Sequence, residues 1–189
     1  VNGKNGILAS LNQRIGALKR LSYHIPRKHL PQISTALVSS KARYCLGIYG
    51  SVRTCDEDPQ CGRMHDIQIA LNKSMRIATG KRLSDRVSIK ELCDSTGMLS
   101  ANQMSAVDKL NLMWASIHDE TSPTHDFFTS PTGSSERVSR SVTKGDVKQS
   151  ARTSTGQGNL PYTAIKLWNM CDNEIRSTGH LAPKLAIKT

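Results

Sequence analysis

Apolar residues recur at a helical interval from the start of the chain: Ile7, Leu8, Leu11, Ile15, Leu18 and Leu21 are spaced to form one face of an amphipathic helix. A strand would need alternation with period two, and no segment of the sequence keeps such alternation for long. The pattern predicts a helix from about Lys4 to Tyr23, closed by Pro26, with Arg20 opposite the apolar stripe and Arg14 and Lys19 flanking it. It commits the chain to a core built by helices packing on helices.

The same periodicity extends downstream. Pro31 stands where the first turn of a helix tolerates proline, and Leu30, Ile33, Leu37, Tyr44 and Ile48 then trace one face. On that projection Tyr44 and Ile48 belong to the core and Arg43 faces outward. Lys41 falls on the apolar stripe, so it must snorkel, pair with a buried partner or emerge at a groove. The acidic stretch TCDEDPQCG reads as a loop. A third helix is expected from Met64 to Thr79 with Ile67, Leu71, Met75 and Ala78 inward and Gly80 as its stop. Ser88 to Glu91 and Ser100 to Gln103 fit capping boxes, the second opening a helix that carries Met104, Val107, Leu110, Trp114 and Ile117. Leu160 to Cys171 restores a helical pattern through Ile165 and Trp168, and both tryptophans read as packing anchors.

Between these parts the composition changes. Ser and Thr supply fifteen of the residues from Thr121 to Asn159, and large apolar groups are few. The expected architecture is therefore all-α: a small helical bundle over residues 1–120, a flexible Ser/Thr-rich connector over 121–159, and a C-terminal helix and tail over 160–189. The chain begins at Val1 without an initiator Met, and we expect it to be a piece of a longer polypeptide.

Charge narrows the function. The formal net charge is +11, which favours polyanionic partners. It is also unevenly placed: residues 1–55 hold nine Lys or Arg and no Asp or Glu. A positive field concentrated at one end of a chain suits a docking face for phosphates, the plainer reading being a solvated basic surface. No hydrophobic run is long enough to span a bilayer, and there is no signal-peptide segment. The five cysteines form no CxxC pair and are expected to be reduced thiols of an intracellular, cytoplasmic or nuclear protein.

Catalytic signatures are missing. The cluster Asp56–Glu57–Asp58 has no second carboxylate motif with which to build a two-metal site and reads as a solvated turn. Cys55, Cys61 and His65 lack the paired spacing of a zinc knuckle. No glycine-rich phosphate loop and no nucleophile elbow occur.

Five stretches occur in an order that carries a resemblance: LNQRIGALKRL (Leu11–Leu21), SKARYCLGIYG (Ser40–Gly50), LNKSMRIATG (Leu71–Gly80), LSANQM (Leu99–Met104) and YTAIKLWN (Tyr162–Asn169). Together they resemble the C-terminal region, thumb and beyond, of reverse transcriptases encoded by non-LTR (LINE-like) retrotransposons. The resemblance implies a helical thumb that grips the template–primer duplex behind a catalytic palm. The palm motif of that family, Tyr-x-Asp-Asp, has no counterpart here, because the sequence contains no Asp-Asp pair. The chain alone is accordingly expected to be inactive and to carry no cofactor, the parent polymerase using Mg²⁺. Its implied partners are an RNA–DNA hybrid or duplex and the palm and fingers of the same polypeptide, with no membrane. Arg14, Lys19, Arg20, Arg27, Lys28, Lys41 and Arg43 are the residues expected to hold phosphates. Two other readings of the same residues stand beside this one: a self-standing helical module that contacts RNA or protein, and a degraded element copy without a selected role.

Overall fold

The apolar stripe at the start of the chain becomes helix α1 (Ile7–Leu21), which buries Leu11, Ile15 and Leu18 and leaves Ile7 and Leu21 at the edge of the core. The structure is a computed structural model and describes residues 6–44, 46–50, 52, 62–125 and 160–172. Helix α1 stops five residues short of Pro26. Ser22 closes it, its hydroxyl donating to the Lys19 carbonyl at 2.7 Å, while Lys19 and Arg20 sit favourably beside the negative end of the helix dipole.

Every regular element among the described residues is a helix. A 3-10 turn (Arg27–His29) leads into α2 (Leu30–Ser34), with Pro31 in its first turn as expected. A π segment (Thr35–Ser39) comes next, then α3 (Ser40–Arg43) and α4 (Leu46–Tyr49). Farther on come α5 (Gly62–Thr79), α6 (Ile89–Thr96), α7 (Ala101–His118) and α8 (Leu160–Met170). The all-α expectation holds. Residues 126–159 of the expected connector, the Asp56–Asp58 cluster and the tail from 173 onward lie outside the described residues.

The described residues fall into two compact units, one within Val1–Leu46 and Cys55–Met104, the other within Gly47–Thr54 and Ser105–Thr189. In the first unit, α5 is the central element, with α1, α2 and α6 packed on it. Its expected face is the core face: Ile67, Leu71, Met75 and Ala78 are buried. In the second unit, Ala164, Ile165, Leu167 and Trp168 of α8 pack with Ala106, Leu110 and Met113 of α7.

The π segment overturns one expectation. A π turn takes about one residue more than an α turn, so the helix beyond it lags by roughly 100°. Val38 and Ala42 become fully buried, while Leu37, expected on this face, stays partly buried against the core. Tyr44 and Ile48, expected in the core, are exposed at 69% and 54%. Tyr44 also ends α3, its backbone leaving the helical region at ψ 118°.

Local signals set the remaining ends. Ser88 accepts from the Glu91 amide at 3.2 Å, but the Glu91 carboxylate pairs with Lys81 in place of closing the box. The Ser100 box is reciprocal: Ser100 Oγ accepts from the Gln103 amide at 3.3 Å, and Gln103 Oε1 accepts from the Ser100 amide at 2.9 Å. Gly80 and Gly97 terminate α5 and α6 with φ of +74° and +68°, a region that costs a side-chain-bearing residue about 1–2 kcal/mol. Gly80→Ala and Gly97→Ala should therefore lower the urea midpoint of the first unit by similar amounts. Only Gly80→Ala displaces a neighbour, because Arg27 Nη1 lies 2.8 Å from where its Cβ would stand.

Candidate nucleic-acid interface

The seven cations expected to hold phosphates all belong to the first unit, and the fold gives them different tasks. Lys19 and Arg20 are exposed in the last turn of α1. Arg27 and Lys28 are exposed on the 3-10 turn beyond it, flanked by exposed Tyr23, His24 and His29. The Arg27 guanidinium lies over Gly80, beside the C-terminal end of α5, where a positive charge is favoured. The absent side chain at Gly80 is what makes room for it. Arg27 thereby joins the first basic segment to a second one, Lys81, Arg82 and Arg86, of which Arg82 and Arg86 are exposed.

Arg14 is not simply outward-facing. It is half-buried, and its Nη1 donates at 2.9 Å to the Leu37 carbonyl in the π segment, tying α1 to the widened turn. Lys41 is also half-buried, but not on the apolar stripe where the regular projection put it. Its ammonium sits 5.4 Å from the centroid of the Tyr44 ring, a cation–π contact. Arg43 is exposed beside it.

The basic stretch after Gly80 is held chiefly by Arg76. Arg76 Nη1 donates to the carbonyls of Arg82 (2.6 Å) and Asp85 (3.0 Å), and Nη2 donates to that of Val87 (3.4 Å). The Arg82 amide in turn donates to the Asp85 carboxylate at 2.7 Å. Main-chain carbonyls are thus occupied by Arg76, while the side chains of Arg82, Leu83 and Arg86 are exposed.

The second unit contains a charged residue that no sequence signal singles out. Lys109 is completely enclosed in α7, with 0% of its surface exposed. Its ammonium donates to the Gly50 carbonyl at 2.6 Å and to the Thr163 hydroxyl at 3.0 Å, linking three segments distant in sequence. Burial pulls its pKa down to about 8. The segment before Gly50 lies close to the same helix, because a Cβ on Gly47 would stand 2.9 Å from Asp108 Cβ. Lys109 is an internal strut and not a phosphate contact. Trp168 is buried in this unit, as expected of a packing anchor, and Trp114 is half-buried with its ring stacked on His118 at 4.5 Å.

Among the described residues no three His, Cys, Asp or Glu side chains gather as a metal site would, and His65 is exposed on α5 while Cys55 and Cys61 lie outside the described residues. Cys93 and Cys171 carry free thiols, and burial together with the Asp94 charge raises the pKa of Cys93 above that of an ordinary thiol. No helix among the described residues is long and apolar enough to cross a membrane. Comparison with protein-family models, with curated proteins and with solved structures returns no match.

Proposed function

We propose that this chain is the helical thumb-like part of an RNA-directed DNA polymerase of a mobile element, and that it grips the template–primer duplex through the phosphates. The observation that carries the reading is the acid-free, cation-rich start of the chain, of which Lys19, Arg20, Arg27, Lys28 and Arg43 are exposed on one helical unit. Helices present such cations on a rigid frame, and phosphate contacts carry no base specificity, which suits a protein that must let the duplex advance by single steps. The five ordered stretches between Leu11 and Asn169 resemble that family and support the reading.

On this proposal the chain positions and does not catalyse. The sequence holds no Asp-Asp pair, so the proposal assigns it no step through Mg²⁺. The work of the cations is electrostatic: each phosphate they neutralise releases condensed counterion, and the sum holds the primer end in register with a palm supplied elsewhere in the polypeptide.

The test is salt dependence. Fluorescence anisotropy with a blunt RNA–DNA hybrid should give a plot of log K against log salt with a slope between about −3.6 and −5.4, as four to six phosphate contacts require. Binding that ignores salt would remove the basis of the proposal.

A further inference from the structure

The π segment does more than shift a register. The helix that continues from it ends at a tyrosine that a regular projection would bury and that instead lies in solvent, with a lysine against its ring. Tyr44 is 69% exposed at the end of α3, with the Lys41 ammonium 5.4 Å from its ring centroid and exposed Arg43 next to it in the chain. Burying a large aromatic side chain stabilises a fold, so turning this ring outward forgoes a real contribution. π turns are also found disproportionately at functional positions.

From this geometry we propose that Tyr44 is a stacking platform for an unpaired base of a single-stranded nucleic-acid segment, with Lys41 beside it to meet the flanking phosphate. The chemistry is complementary on both counts. An exposed aromatic face accepts any base, since every base has a π face, and stacking is tolerant of sequence. A cation against the ring draws electron density from it, which favours an electron-rich base on the exposed part of the ring. The polyanion that Lys41 would meet carries its charge at every nucleotide, so one stacked base brings a phosphate within reach of the same site. The chain break at Tyr44 helps, because the ring stands at a helix end and not in the middle of a face crowded by neighbouring turns.

The inference rests on the proposed nucleic-acid grip but concerns a different part of the ligand, and the two can fail separately. The full chain and its Tyr44→Ala and Tyr44→Phe variants would be compared by anisotropy on a blunt hybrid and on the same hybrid carrying a single-stranded extension. The wild type should prefer the extended ligand. Tyr44→Ala should lose affinity for the extended ligand by about tenfold and bind the blunt one as before, while Tyr44→Phe keeps the preference. Equal binding of both ligands by wild type, or an extension preference that survives Tyr44→Ala, would overturn the stacking site and leave the phosphate grip standing. Salt-independent binding of the blunt hybrid would instead remove the grip. Because Tyr44 is exposed, unchanged helical circular dichroism is expected in both variants.

Discussion

Replacing Lys109 with alanine should destabilise the second unit by about 2–4 kcal/mol, through the cavity left in α7 and the donor lost to the Gly50 carbonyl and the Thr163 hydroxyl. Both tryptophans of the chain, Trp114 and Trp168, belong to this unit, so their fluorescence follows its unfolding in urea. Lys109→Met separates the contributions. It fills nearly the same volume and removes the cost of burying a charge, and its midpoint at neutral pH should stay within about 1 kcal/mol of wild type. The two variants share one signature. In the folded chain Lys109 gives up its proton near pH 8, and in the unfolded chain near 10.5. Between these values the unfolded state binds more protons, so the stability of the second unit rises with pH across that window. Below pH 8 both states hold the proton and above 10.5 neither does, and the contribution is flat. The difference in midpoint between wild type and Lys109→Met, measured at about pH 7 and again at about pH 9.5, should change in favour of wild type at the higher pH. A constant difference would show that Lys109 is not a titrating strut.

The second large effect is expected at Gln68 in the first unit. This side chain is 6% exposed, and its two ends do different things: Oε1 accepts from the Ala101 amide at 2.7 Å, and Nε2 donates to Asn72 Oδ1 at 2.8 Å. Ala101 opens α7, and its amide is one of the donors a helix leaves without an internal partner. Ser100 satisfies the Gln103 amide, and Gln68 reaches from α5 to satisfy the first. Gln68→Leu should therefore cost about 1–3 kcal/mol, the penalty of a buried amide with no acceptor, although the substituted residue is more apolar. Gln68→Ala adds a cavity and should cost more. Urea unfolding followed by circular dichroism would rank the variants. If Gln68→Leu proved as stable as wild type, the long-range cap would be an incidental contact.

These two residues also show where local sequence signals stop. Helices α1, α5 and α6 were legible because their apolar spacing, glycine stops and the serine before α6 act within a few residues of one another. The register beyond the π segment was not, since an extra residue in one turn has no compositional mark. The helix end at Tyr44 adds to it, and Lys41, Tyr44 and Ile48 all leave the predicted face. Lys109 is a cation whose helical neighbours include Ala106 and Met113, and its burial depends on Gly50 and Thr163, more than fifty positions away. Arg14 likewise reads as a surface cation until Leu37 is brought beside it. Within the candidate interface, charge could be read from the sequence; which cations stay exposed could not, because partners such as Leu37 and Tyr44 are set by packing.

The hold of Arg76 on the loop after α5 bears on how that loop can change over time. One guanidinium grips three main-chain carbonyls, and carbonyls are common to all residues. Positions 83, 84 and 86 can therefore drift in identity, exchanging one charge or apolar group for another, without altering the path of the chain. The burden of constraint falls chiefly on Arg76, with Asp85 holding the Arg82 amide, and lysine could not inherit it from Arg76, since a single ammonium lacks the planar fork that reaches carbonyls on both nitrogens. Substitution in a lineage of such proteins would then be uneven over a few residues: a fixed arginine in the helix, and a freely varying surface on the loop that it holds in place.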